Sequence, residues 1–108
     1  KTLIEKGGMA LLCPGEIPQK NITGCYCGDL LSWVMSRAKE GDAWLTVMGN
    51  INAVGVAALS ECACIVLTEN ASLDSDALKR AEENDIAILR TEKNSYETAV
   101  LLSNLLGD

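Results

Sequence analysis

Hydrophobic and polar positions along the chain follow two spacings, one typical of α-helices and one typical of short β-strands. Apolar residues recur at helical spacing in segments 29–41, 50–61, 74–84 and 94–107. Short apolar runs lie at 9–13, 43–48, 64–68 and 86–89, and an alternating segment at 21–27 suits a further strand or a strand edge. Because helices alternate with strands in this way, the pattern predicts a layered α/β domain.

Polar residues at the starts of the predicted helices give local signals for where each helix begins. Asn50 is a credible N-cap, and Asp74 begins the following helix. Asn94 and Glu97 have the spacing of a capping box. Asp29 stands where the first of these helices would begin, so its carboxylate is expected to interact with the N–H groups of the first turn.

Both ends of the chain are predicted to be helical. The first six residues look like the last turns of a helix whose beginning is missing, with Gly7-Gly8 as its stop. The last helix is predicted to stop at Gly107, with one apolar face formed by Tyr96, Ala99, Val100 and Leu106. Residues 1–108 are therefore predicted to form a single domain with a truncated first helix.

Composition narrows the possible environments and partners. The 108 residues are 48% hydrophobic and 22% charged, which is ordinary for a folded, soluble domain. The formal net charge of −6 disfavours binding to nucleic acid or to an anionic membrane. No apolar run approaches the roughly 18–20 residues that span a bilayer, and no signal peptide is visible. The chain is predicted to be cytoplasmic.

Five cysteines include two Cys-x-Cys pairs, which suggest one candidate site. Cysteines two apart on a strand point to the same side, so Cys25, Cys27, Cys62 and Cys64 could together supply four thiolates to zinc or to an iron–sulfur cluster, or act in redox chemistry. Small buried cysteines explain the same residues, and the odd total makes a disulfide framework improbable in a reducing compartment. Both interpretations remain open at this stage.

Polar residues that follow the predicted strands suggest a second candidate site. Strand ends and the starts of the following helices share one edge of an α/β sheet, where free N–H groups favour anions. The residues at this edge are Thr46, Asn50 and Asn52 after one strand, Thr68 and Glu69 after the next, and Arg90 and Thr91 after the last. They could hold a nucleotide or a phosphorylated metabolite, although helix caps and turns demand the same residue types.

Several segments are similar to one known family. The run Asn21-Ile22-Thr23-Gly24-Cys25-Tyr26, followed by Gly28-Asp29-Leu30-Leu31-Ser32, Gly41-Asp42, Trp44, Thr46, Asn50-Ile51, Leu67-Thr68 and Tyr96-Glu97-Thr98-Ala99, resembles the DRTGG domain family. Such domains resemble the N-terminal domain of HPr kinase/phosphatase. The resemblance implies a three-layer α/β/α fold with a mixed sheet of about five strands. The motif that gives the family its name is only partly present: Thr23 and Gly24 match it, whereas Cys25 stands in place of its second glycine.

The resemblance also implies a class of function. DRTGG domains are regulatory or assembly modules that are usually dimeric, so we expect a non-catalytic module that forms a homodimer and senses a small anionic ligand, with Thr23 and Gly24 among its contacts. No cofactor is expected, and the sequence does not specify a protein partner. The alternatives are the thiolate metal or redox module and a small enzyme. Catalysis is disfavoured because the chain contains no histidine and no visible nucleophile–base pair.

Overall fold

The computed structural model describes residues 8–13 and 22–106, which contain five β-strands and four α-helices. In chain order these are β1 Ala10–Cys13, β2 Gly24–Cys27, α1 Leu31–Arg37, β3 Asp42–Thr46, α2 Ile51–Ser60, β4 Cys64–Leu67, α3 Ser75–Glu83, β5 Ile88–Arg90 and α4 Ser95–Leu106. The predicted helix before Gly7 and the helix stop at Gly107 lie outside the described residues. None of the helices in the described ranges combines the length and the apolar composition that spanning a bilayer requires.

The five strands form one mixed sheet, as the resemblance implied. Their spatial order is β1-β5-β4-β3-β2. Strands β2 to β5 are parallel, and each pairs with the next along the chain. Strand β1 pairs antiparallel with β5, with a register shift between Leu11 and Cys13. The carboxyl ends of β2, β3, β4 and β5 therefore all lie at the same edge of the sheet.

Helices cover both faces of the sheet and produce two separate hydrophobic clusters. Three consecutive parallel crossovers of the usual right hand put α1, α2 and α3 on one face. The cluster on that face includes Val34, Val54 and Ala77 from the helices and Trp44, Ile65 and Ile88 from the strands. Helix α4 covers the other face, where Leu102 lies in a cluster with Leu45, Val66 and Leu89. The layers are therefore α/β/α.

Two of the predicted helix caps are confirmed by hydrogen bonds. The Asn50 side chain accepts a hydrogen bond from the Ala53 N–H at 2.9 Å. In the capping box, the Glu97 N–H donates to Asn94 at 2.8 Å and the Asn94 N–H donates to Glu97 at 3.2 Å. Asp74 occupies the predicted N-cap position of α3, but its side chain makes no capping hydrogen bond.

The buried face of α4 differs from the predicted one. Tyr96 is 77% exposed and Val100 is 41% exposed, whereas Thr98 and Leu102 are buried. Of the predicted face, Ala99 does pack against the core cluster. The apolar pattern misled because Thr98 counts as polar, yet its hydroxyl donates to the Asn94 carbonyl at 2.7 Å and so can be buried without an unpaired donor.

Candidate functional site

The predicted strand-end site lies on a hydrogen-bonded edge that we call the carboxyl rim, defined as residues 46–52, 68–70 and 90–94. The Thr68 N–H donates to the Thr46 carbonyl at 3.0 Å, which links the ends of β3 and β4. The loops after β4 and β5 are joined by the Glu69 N–H to the Lys93 carbonyl and by the Asn70 N–H to the Thr91 carbonyl, both at 2.8 Å. Backbone hydrogen bonds therefore connect the ends of β3, β4 and β5 along the rim.

Three threonines at the ends of β3, β4 and β5 are buried in the rim. Thr46 donates its hydroxyl to Asp29 Oδ1 at 2.5 Å and accepts from the Met48 N–H at 3.1 Å. The Thr91 hydroxyl accepts from the Lys93 N–H at 3.3 Å. Thr68 is 0% exposed, and its hydroxyl oxygen has no hydrogen-bond partner. One of the three buried hydroxyls is thus unsatisfied.

The Thr68 hydroxyl is one of two buried side-chain oxygens without a hydrogen-bond partner in the described part of the chain. Among the described residues, Ser60 carries the one other buried side-chain oxygen in the same condition. Leaving such a group unpaired costs about 1–3 kcal/mol of stability. Buried polar groups without partners often mark a position that an additional polar atom completes.

Asp29 corrects one sequence-based prediction. The N-cap of α1 is Leu30 rather than Asp29, and it makes no side-chain capping bond. Asp29 Oδ1 instead accepts from the Thr46 hydroxyl and from the Val47 N–H at 3.1 Å. This arrangement follows from the register, because Cys27 pairs with Leu45 and residues two positions later are also neighbours. The Asp29 carboxylate therefore accepts the hydrogen bonds that the Thr46 hydroxyl and the Val47 N–H donate at the end of β3.

The other predicted ligand residues divide between the two ends of the sheet. Asn50, Asn52, Glu69 and Arg90 lie on the carboxyl rim with the three threonines, but the Asn50 side chain is already engaged as a helix cap. Thr23 and Gly24 do not join them. They stand at the amino end of β2, where the Thr23 N–H donates to the Gly41 carbonyl at 2.9 Å and Gly24 pairs with Asp42. The predicted residues thus do not form one cluster.

The four cysteines of the alternative site are also divided. Cys62 packs in the cluster beneath α1 to α3, whereas Cys64 belongs to the cluster beneath α4. Cys25 and Cys27 lie on the edge strand β2 and are exposed. Across the described parts of the chain, no group of three or more His, Cys, Asp or Glu residues could hold a metal ion. The two Cys-x-Cys pairs therefore do not converge on one ion.

The environment of Cys25 strongly favours its neutral thiol. Burial of the sulfur raises the pKa of Cys25 from 9.0 to about 12, and the neighbouring Cys27 adds to this through its charge and through a hydrogen bond. Asp42 and Cys64 contribute smaller electrostatic effects in the same direction. Because the thiolate is the nucleophile in cysteine chemistry, this environment suppresses reactivity at neutral pH.

Alkylation should reveal this raised pKa. At pH 8 we expect Cys25 to react with iodoacetamide about 100-fold or more slowly than an ordinary exposed thiol, since a far smaller fraction is ionised. The rate should keep rising as pH increases toward 12, and it should be measured peptide by peptide by mass spectrometry. In Cys27→Ser, which removes the largest neighbouring influence, Cys25 should react faster. A rate that levels off near pH 9 would contradict the assignment.

Comparisons with known proteins provide the family context. The sequence matches the DRTGG domain family over residues 10–105. The fold is similar to a crystal structure of the CBS and DRTGG domains of the regulatory region of Clostridium perfringens pyrophosphatase, complexed with the activator diadenosine tetraphosphate. That similarity has a TM-score of 0.71 at 14% identity and covers 94% of this chain but 44% of that chain. No curated protein matches the sequence.

Proposed function

This chain belongs to the DRTGG domain family, and from that membership we propose that it is a non-catalytic regulatory module whose carboxyl rim binds a small anionic ligand. The ligand class is a nucleotide or a phosphorylated metabolite. Ligand binding would act by shifting a conformational or association equilibrium, which requires different affinities for the two states. The proposal concerns this domain, which corresponds to less than half the length of the similar pyrophosphatase structure.

The observation that carries this proposal is the unsatisfied hydroxyl of Thr68. It lies where the loops after β4 and β5 meet; Lys93 belongs to the second of these loops, and Arg90 is the last residue of β5. Because Thr68 is 0% exposed, a phosphate or ribose oxygen would reach this hydroxyl only in a state in which the loops after β4 and β5 have moved apart. Arg90 and Lys93 would then offset the negative charge of the ligand. No comparable donor remains at Thr46, whose hydroxyl is already engaged by Asp29.

Asp29 narrows the proposed site to one side of the rim. Its carboxylate accepts from both the Thr46 hydroxyl and the Val47 N–H, so these donors are not open to a second anion. Two like charges in close contact would also repel each other. We therefore place the ligand near the ends of β4 and β5 rather than along the whole rim.

The structural neighbour suggests which ligands to test first. The similar region of the pyrophosphatase, which contains CBS domains as well as a DRTGG domain, was crystallised with the activator diadenosine tetraphosphate. That ligand belongs to the pyrophosphatase. It makes mono- and dinucleotides the first class to try on this chain, followed by phosphorylated metabolites.

Self-association as a homodimer forms a second part of the proposal. Several large apolar side chains between β2 and α2 remain exposed, namely Leu30 at 60%, Trp33 at 52%, Met35 at 50% and Val47 at 44%. The Arg37 guanidinium stacks over the Trp33 ring at 3.9 Å from its centroid, which adds a cation–π contact to this surface. Contiguous exposed apolar area is typical of surfaces that contact other proteins, and Leu30 and Trp33, three positions apart at the start of α1, are the pair whose spacing favours such a surface.

A ligand screen with one charge-removing variant tests the proposal. Nucleotides and phosphorylated metabolites would be screened by thermal shift, and any ligand that binds would then be titrated calorimetrically. We expect Arg90→Ala to weaken binding about tenfold without lowering the melting temperature of the unliganded protein, because a hydrogen bond to a charged group contributes about 1.5–3 kcal/mol. Sedimentation velocity with and without ligand would report the dimer and any shift in its equilibrium.

Arg80→Ala is the matched control for this experiment. Arg80 lies in the last turn of α3 and therefore at the opposite end of the sheet from the carboxyl rim. Its removal changes the net charge by the same amount as the Arg90 substitution. If both variants lose affinity equally, the effect is one of overall charge and the rim is excluded. A screen that finds no ligand, together with a monomer at all concentrations, would refute the proposed function.

A further inference from the structure

Two cysteine sulfurs lie side by side at the edge of the sheet, apart from the carboxyl rim. Cys25 and Cys27 both belong to β2, the last strand in the sheet order, and their Sγ atoms are 4.0 Å apart. Both residues are exposed, so an ion could reach them from solvent. The regulatory function proposed above does not use them.

The strand holds this spacing in place. Residues two apart on a β-strand project from the same face, and β2 pairs with β3 at four consecutive positions. The sulfurs are too far apart for a disulfide, whose S–S bond is about 2.05 Å. They suit a single bridging ion, because two metal–sulfur bonds of about 2.3 Å reach sulfurs up to roughly 4.6 Å apart.

We propose that Cys25 and Cys27 form a two-coordinate binding site for monovalent copper. Soft thiolate ligands select Cu(I), which is stable with two ligands. Zinc generally requires three or four protein ligands, and no larger group of His, Cys, Asp or Glu that could hold a metal occurs in the described ranges. On binding, the two thiols release two protons and form two Cu–S bonds, and no electron is transferred.

The overall negative charge of the chain favours a cation at this pair. The chain carries a formal net charge of −6. Asp42 supplies no ligand, because it pairs with Gly24 and therefore projects from the sheet face opposite Cys25 and Cys27. A positive ion held between the sulfurs would be stabilised by the net charge, whereas an anion would be repelled.

An anaerobic competition titration tests this site. Reduced protein would be titrated with Cu(I) buffered by a coloured chelator such as bicinchoninate, and the bound copper examined by X-ray absorption. We expect one Cu(I) per chain with two sulfur ligands. Cys25→Ser and Cys27→Ser should each lower the affinity by about 100-fold or more, since even residues that only support a metal ligand contribute about 10–100-fold.

Cys62→Ala is the matched control, because it removes a cysteine that lies away from the pair, in the hydrophobic cluster beneath α1 to α3. It should retain full copper binding, and circular dichroism of each variant would confirm that the fold is intact. Copper that remains bound in Cys25→Ser, or an equal loss in Cys62→Ala, would overturn the proposal. So would one copper per two chains, because that stoichiometry means an ion shared between copies.

Discussion

Gly49→Ala should strongly destabilise the protein. Gly49 lies between β3 and α2, and a Cβ atom there would collide with the Ser72 carbonyl oxygen and approach the Leu73 Cα to 3.0 Å. Both neighbours are backbone atoms and cannot move aside as the end of a side chain could. We expect a loss of about 1–3 kcal/mol in the free energy of unfolding from overpacking.

A second contribution to this loss comes from the hydrogen bond that Gly49 makes. Its carbonyl accepts from the Asp74 N–H at 2.8 Å, which ties the start of α3 to the start of α2. Separating the two loops would remove this bond, which is worth about 1 kcal/mol. Asp74 makes no side-chain capping bond, so the start of α3 relies on this contact.

Gly55→Ala provides a control, because the same substitution at this position should increase the free energy of unfolding. Gly55 lies within α2, and a Cβ atom placed there would meet nothing within 4 Å. Alanine is favoured over glycine inside a helix by about 0.5–1 kcal/mol, so this variant should be more stable than the wild type. Urea denaturation of both variants measures the difference. Equal stability of the two would show that the loops at Gly49 are not in close contact.

Thr68→Val should raise the stability of the protein and at the same time weaken ligand binding. Valine has nearly the shape of threonine but lacks the hydroxyl that is buried without a partner. Removing that group should raise the free energy of unfolding by about 1–3 kcal/mol in the unliganded protein. If the same hydroxyl bonds the ligand, the affinity should fall by about tenfold or more. Few substitutions at a non-functional position combine these two effects.

Thr46→Val is the appropriate comparison because it makes the same chemical change one strand away. The Thr46 hydroxyl bonds both Asp29 and the Met48 N–H, so its loss should lower stability by about 1–3 kcal/mol. Thermal unfolding should therefore show a higher melting temperature for Thr68→Val and a lower one for Thr46→Val. Calorimetric titration should show the loss of affinity in Thr68→Val. A stabilised Thr68→Val protein with unchanged affinity would show that the ligand does not bond this hydroxyl, and a destabilised one would show that a buried water already satisfies it.

The sequence predicted those parts of the fold that depend on local interactions. The starts of α2 and α4 are marked by Asn50 and by the pair Asn94 and Glu97, which bond within their own first turns. The alternation of helix and strand likewise indicated the α/β class. The family resemblance supplied the mixed sheet and the three layers, because the antiparallel pairing of β1 with β5 has no signal in the local pattern.

The features that escaped prediction depend on contacts between distant segments. Asp29 bonds Thr46 because β2 and β3 are parallel and in register, a relation that a helix-capping rule does not consider. Thr23 and Gly24 lie at the start of β2, whereas the rim residues lie at or after the ends of β3, β4 and β5, so the parallel sheet places the two groups at opposite ends. That the Thr68 hydroxyl is buried without a hydrogen-bond partner depends on how distant segments pack around it, and the spacing of residues along the chain does not predict this.

The sheet order also constrains how the protein folds. Strands β2 to β5 form successive neighbouring pairs, so each βαβ unit can assemble from adjacent stretches of chain. Strand β1 instead joins β5, which lies more than seventy positions later, and loop closure over that distance opposes early pairing. We therefore expect β1 to dock late in folding, and until it docks the outer hydrogen-bonding groups of β5 are open to pairing with other chains and to aggregation.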